Sequence, residues 1–316
     1  MANRSTSIPE ESVDRAFHME AEGTDIISAS QRHGRPKELF AVWLAAVLTS
    51  SGVVIGELFT SLGLGIGESF AVALLCSLSF VILGWASASG PKAGTVTLTI
   101  SRAAFGVRGN VVPAFFSWLS AVGWESVTMV LTVYALLSLA QLIGWASSGV
   151  LPTLIALTIA ILFTYIVPTL GHATVVSMQK IFAYALAVAA LLVIIAIFPH
   201  VNWHFSPPAK DMAADGRIPT MILAASIGLI SSVWGWTNYA ADYSRYLPAS
   251  TKSRTIIGYT ALGAGIASFI VMGLGILLGT FISPSAFNAN SIQAIAHAVP
   301  QWWAVVPFLI IVIMGN

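Results

Sequence analysis

Charged side chains are nearly missing from this chain: 9% of its 316 residues are Asp, Glu, Lys or Arg, against about 25% in an ordinary soluble domain. That scarcity excludes a water-soluble globule. Cysteine is scarcer still. With Cys76 alone, no internal disulfide can form, and its place in an apolar run makes it a small core hydrophobe. The net charge of +1 is spread over connectors rather than gathered in a patch, so no nucleic-acid partner is expected. His172, His200, His204 and His297 fall in connectors and loops with no partner at ligand spacing, so neither a metal site nor a cofactor is expected. No nucleophile and base sit together at helical spacing, and the chain does not read as an enzyme. A cleavable leader is missing too: residues 1–38 are polar and lack an apolar core of about 7–15 residues.

What is abundant is hydrophobicity, at 57%. A transmembrane helix needs about 17–25 apolar residues. Runs of that kind lie near 39–62, 69–88, 111–143, 150–170, 178–198, 218–240 and 256–282. An eighth starts near Trp302 and is too short to finish a span. The sequence therefore predicts an all-α membrane protein of about seven complete helices plus a partial eighth, and it reads as a fragment or truncated frame whose function belongs to a longer parent. With residues 1–38 as a cytosolic tail, twelve of the 14 Lys and Arg residues fall inside and only Lys210 and Arg217 outside, which fixes the orientation. The expected location is the plasma membrane, multi-pass, with the lipid bilayer as the only other partner and no obligate protein partner.

Two spans interrupt themselves with small polar residues. The first holds Thr49-Ser50-Ser51-Gly52 in its middle, and the sixth holds Ser231-Ser232 followed by Gly235 between Trp234 and Trp236. Backbone groups left without helical partners are tolerated in hydrocarbon only where protein or a water-filled cavity covers them. Interrupted helices opening each half point to a carrier of inverted-repeat type with its site near the midplane. The implied division is a five-helix repeat over 39–198, an outer loop over 199–217 and an incomplete second repeat over 218–316.

The third span carries Trp124, Glu125 and Thr128 on one side of a helix, since residues three and four apart are neighbours. A flat aromatic face, a carboxylate and a hydroxyl at depth suit a planar heterocycle. Trp43, Trp85, Trp145, Trp203, Trp302 and Trp303 read instead as members of the interfacial aromatic belts. Glu57 lies in the outer third of the first span, where it either reaches headgroups or water or, if buried, is functional or paired. Glu125, beside the ring site, is the residue expected to carry a proton, as intramembrane carboxylates do in relays. The alternative coupling ion is Na+, with Thr49 and Ser50 offering hydroxyls. At the inner end of the sixth span, Asp242 and Arg245 are three apart. They are expected to pair with each other, or to meet inner-connector charges such as Arg102 and Arg108, in a gating or structural role.

The run Ser101-Arg102-Ala103-Ala104-Phe105-Gly106-Val107-Arg108-Gly109, the step Gly123-Trp124-Glu125, and Trp236 followed by residues 239–248 (YAADYSRYLP) resemble the nucleobase/cation symporter family, purine-cytosine permease branch. The resemblance implies a LeuT-like fold of twelve helices, a mobile bundle of helices one, two, six and seven, and cation-driven transport of purines, pyrimidines or related rings such as cytosine. It implies a ring held between Trp124 and either Trp234 or Trp236. Ser51, in the interrupted first helix, is also expected to contact the substrate. A family amide is replaced here by Thr128. The amide and the sodium ligands of the eighth helix fall at or beyond residue 316. Two other readings stay open: a LeuT-like carrier of amino acids or amines, and a truncated remnant that does not transport.

Overall fold

The computed structural model describes residues 15–20, 23–207, 209–299 and 301–315. Helices form all of the regular structure among them. The chain enters through α1 (Glu38–Val47) and α2 (Ser50–Ser61), returns through α3 (Ile66–Leu78), α4 (Val81–Ser87) and α5 (Gly90–Ala93), and makes a connector of α6 (Thr97–Ile100) and α7 (Arg102–Gly109). Three long helices follow: α8 (Val111–Leu142), α9 (Val150–Thr169) and α10 (His172–Ile197). Next come α11 (Arg217–Leu229), a π-helical turn at Ile230–Trp234, α12 (Gly235–Thr237) and α13 (Ser253–Gly279). Short helices α14 (Pro284–Ala289) and α15 (Ser291–Ala298) lead into α16 (Trp302–Gly315).

Six of these helices, some joined end to end, are long and apolar enough to cross a membrane, and α1 with α2 makes a seventh if the pair is one bent span. They coincide with the seven runs read from sequence. The longest, α8, has 32 residues, about 48 Å at 1.5 Å per residue. That exceeds a hydrocarbon layer of about 30 Å, so a span of this length tilts or protrudes.

The first expected interruption is a true break. Leu48 and Thr49 leave helical geometry, Thr49 is extended (φ −115°, ψ 157°), and α1 meets α2 at 56°. The second takes another form. Leu229 runs on into the π turn without a gap, and the helix unwinds only past Thr237, into turns that continue to Tyr246. Small Ser231, Ser232 and Gly235 let the backbone widen by one residue instead of parting, the usual form of a π-bulge.

Packing is tightest where glycines remove side chains. α13 lies directly against α1 and α2: a Cβ at Gly263 would overlap the Phe40 carbonyl, and one at Gly275 the Val53 carbonyl. From the other side, a Cβ at Gly56 would overlap the Met272 backbone. Such close approach is how small residues hold helices together where lipid tails offer no hydrophobic contrast. Glu57 sits in this seam, 2% exposed, with Ser61 Oγ donating to its Oε1 at 2.5 Å. It is buried against α13 and does not reach headgroups or water, because Gly275 and Gly279 let α13 close over it. By contrast, α9 keeps most of its apolar surface outward.

Within the expected tail, residues 1–14, 21 and 22 lie outside the described residues. The remainder is not free: Ile27 N donates to Gly94 O at 2.7 Å and Gly34 N to Tyr246 O at 3.1 Å. The segment before α1 is thus bound to the end of the helix set at which α1 starts.

The glycine seam generates a stability prediction. Gly56→Ala forces α2 away from α13, and overpacking of this kind costs about 1–3 kcal/mol or more. In a thermal-shift assay on detergent-solubilised protein, Gly56→Ala melts lower than the parent. Gly67→Ala, which has open space at its Cβ position, melts with the parent. Equal melting of both variants would contradict the close approach.

Candidate functional site

The break between α1 and α2, the π turn and the middle of α8 face one another across a cavity of ≈ 290 Å³. That is close to the lower end of about 300–1,000 Å³ for small-molecule sites. Trp124, Glu125 and Thr128 line it from α8, Thr49 and Ser51 from the break, and Ser231, Ser232, Gly235 and Trp236 from the sixth span. The one-sided cluster read from helical spacing is therefore a wall of a real cavity.

The cavity is apolar with a few aimed polar groups. Thr49 Oγ1 and Ser51 Oγ share a hydrogen bond of 2.7 Å, and Thr128 Oγ1 donates to the Glu125 carbonyl at 3.2 Å. Ser232 Oγ donates to Gly228 O at 2.5 Å, meeting a carbonyl beside the π turn. Gly235 brings the sixth span close to α8: a Cβ on it would stand 3.9 Å from Trp124 Nε1. Trp124 and Trp236 thus border one space from two different spans.

Trp236 is oriented from behind by a residue the sequence assigned elsewhere. Trp43 is not in an interfacial belt; it is fully buried and meets Trp236 edge to face, with centroids 5.7 Å apart at 86°. It also meets Tyr243 at 5.2 Å and 79°. Aromatic pairs in this geometry add about 0.5–1.5 kcal/mol beyond burial. Trp85, Trp145, Trp203, Trp302 and Trp303 are exposed, as belt residues are.

Trp234 departs from expectation. It is 53% exposed and lies away from the cavity, so of the two tryptophans flanking Gly235 only Trp236 lines it. Two residues along a helix turn through about 200°, which sends one of the pair outward. Ser50 is also displaced: it is buried at 1% exposure outside the lining, while its neighbours Thr49 and Ser51 line it.

Sequence reasoning missed Ser120, Tyr239, Ser268 and Met272 as lining residues. Tyr239 reaches across the cavity, its hydroxyl 3.4 Å from the Ser117 carbonyl on α8. For Ser268 and Met272 the available signal was their i, i+4 spacing on α13, overshadowed by the glycines around them. Glu125 has a second face: it also lines a groove between α8 and α9 with Ser126, Met129, Leu157, Ile161 and Tyr165.

Asp242 and Arg245 do not pair with each other or with Arg102 and Arg108. Asp242 Oδ1 accepts from the backbone N–H of Thr97 at 2.8 Å and from its hydroxyl at 2.9 Å, holding the start of α6. Arg245 turns the other way, to Glu20 and the Gly23 carbonyl. Past Thr237 the chain is no longer helical, so the three-residue spacing does not bring the two together.

Comparison with known proteins agrees with this architecture. Residues 26–316 match the family model for permeases of cytosine/purines, uracil, thiamine and allantoin. A putative purine-cytosine permease of Bacillus subtilis is 30% identical over 92% of this chain and 60% of its own length. A purine-cytosine permease of Emericella nidulans is 27% identical over 79% of this chain and 47% of its own. One of Saccharomyces cerevisiae is 24% identical over 74% and 43%. The chain thus spans about two-fifths to three-fifths of the length of these relatives, which are permeases and not enzymes. The fold matches, at a TM-score of 0.71, that of a nucleobase-cation-symport-1 family transporter solved closed around bromovinylhydantoin, with 16% identity over 94% of this chain and 65% of that one. It is the LeuT-like architecture expected above, and this multi-pass membrane chain belongs to the family of permeases for cytosine/purines, uracil, thiamine and allantoin.

Proposed function

We propose that the protein carries a purine or pyrimidine nucleobase, such as cytosine, or a related heterocycle across the plasma membrane, coupled to a cation, with its N-terminus in the cytosol. The observation that carries the reading is that Trp124 and Trp236, from two different spans, border one cavity together with Glu125 and Thr128. Two aromatic faces hold a planar ring by stacking, and Glu125 and Thr128 supply hydrogen bonds to its edge. The relatives named above are purine-cytosine permeases, and the solved transporter of the same fold binds a substituted hydantoin, another planar ring. The orientation rests on the basic residues, twelve of 14 falling on one side. A five-helix repeat over 39–198 and a second repeat opening at 218 are part of the same reading.

Proton coupling is assigned to Glu125. Glu125 lines two spaces, the cavity and the α8–α9 groove, so a proton path and a ring site can share one residue. The break offers the Thr49 hydroxyl to a sodium ion instead, and the experiment below separates the two.

Stacking of a base on an aromatic is worth about 1–3 kcal/mol by alanine substitution, or roughly five- to a hundredfold in affinity. Uptake of radiolabelled cytosine or adenine into vesicles bearing the protein falls by that factor in Trp124→Ala, at equal expression. Trp85→Ala, exposed and remote from the cavity, leaves uptake as it was. Parental uptake by Trp124→Ala removes the stacking assignment.

Under an imposed pH gradient without sodium, the parent accumulates substrate and Glu125→Gln only equilibrates it. Accumulation that follows sodium, ignores the pH gradient and survives Glu125→Gln would sink the proton assignment and leave the nucleobase assignment intact.

A further inference from the structure

The ion pair at Arg245 has no part in the cavity, yet it is the most heavily bonded charge pair described. Glu20 Oε1 accepts from the Arg245 guanidinium and from the Tyr246 hydroxyl at 2.7 Å, and its Oε2 accepts from the backbone N–H of His172 at 3.0 Å. One carboxylate therefore joins three pieces of chain far apart in sequence: the segment before α1, the turns that end the sixth span, and the first residue of α10. The last contact places negative charge at the N-terminus of a 26-residue helix, where the dipole favours it.

The junction is nearly dry. The Arg245 and Glu20 side chains are 6% and 13% exposed. The His172 ring stacks on Tyr246 at 4.2 Å and 25°, and the Arg245 guanidinium lies over the same ring, 5.2 Å from its centroid. Gly171, at φ +85°, makes the room: a Cβ there would overlap Glu20. Nearby, Phe17 N donates to Thr174 Oγ1 at 2.8 Å.

A buried ion pair contributes little net stability compared with an apolar pair of the same size, while breaking it strands a charge. Such a contact suits a junction with two states better than a permanent brace. Formed, it ties α10 to the unwound end of the sixth span. Parted, it hands Glu20, Arg245 and the first N–H of α10 to water. Between these elements lies a cavity of ≈ 10 Å³ lined by Gly34, Val42, Val176 and Tyr243.

We propose that Glu20 is the bolt of a releasable latch, which holds this end of the helix set shut and must part from Arg245 and Tyr246 for the protein to open there. The purpose of the latch rests on the carrier reading; its test needs neither substrate nor ion, so either idea can fail alone.

The reporter is Val176→Cys, at a position 8% exposed beside the small cavity, in a Cys76→Ala background that leaves no other thiol. The chain, in lipid nanodiscs, is treated with a water-soluble maleimide. Glu20→Gln and Arg245→Ala each speed labelling by about tenfold or more, the change that ~1.4 kcal/mol makes, and the double variant is no faster than the faster single one. Glu20→Asp, which keeps the charge with a shorter reach, labels at an intermediate rate and serves if a larger change prevents folding. Asn288→Cys, exposed on α14, labels alike in every background. Unchanged labelling at Val176→Cys overturns the latch. So does equal acceleration at both thiols, which would mean general loosening, or additive effects of the two changes.

Discussion

Hydrocarbon offers no partner to a bare N–H or C=O, and the rest of this structure follows from where the chain places the few such groups it leaves unpaired. The α1–α2 break and the π turn in the sixth span come together around one cavity, so each interruption is covered by the other and by α8. Covering them requires the helices to approach closely. The glycines of α13, in backbone contact with α1 and α2, provide that approach. The cavity and the tight seam are two outcomes of one requirement, since polar backbone in the middle of a membrane is tolerated only inside a well-packed shell.

The spans and the α8 wall were legible because both are local. A run of apolar residues has a length, and Trp124, Glu125 and Thr128 have a spacing. The tryptophans flanking Gly235 show where that stops. Both have the right chemistry, and only the path of the backbone through the π turn decides that Trp236 faces the cavity and Trp234 faces out. Trp43 misled for a related reason: close to the start of its span it looks interfacial, but α12 and the turns that follow close over it. Between the two readings of Glu57 the sequence could not choose, because the glycines that bury it belong to α13.

Long-range pairing was not legible at all. Glu20 and Arg245 are 225 positions apart, and no periodicity links them. The spacing of Asp242 and Arg245 suggested a helical pair, and the unwinding past Thr237 cancels it, sending one carboxylate to the start of α6 and one guanidinium to the segment before α1. A motif dense in charge and tyrosine turned out to be an anchorage for two neighbouring segments.

The broken first span has an electrical consequence. α1 ends at the break with its carbonyls forward, and α2 begins there with its first N–H groups, so the negative pole of one helix dipole and the positive pole of the other lie side by side. Opposite poles at one place nearly cancel as a net charge and persist as a local field. The field at the break thus comes from helix ends, and the one acidic residue among the described residues lining the cavity, Glu125, stands on the opposite element, the wall formed by α8.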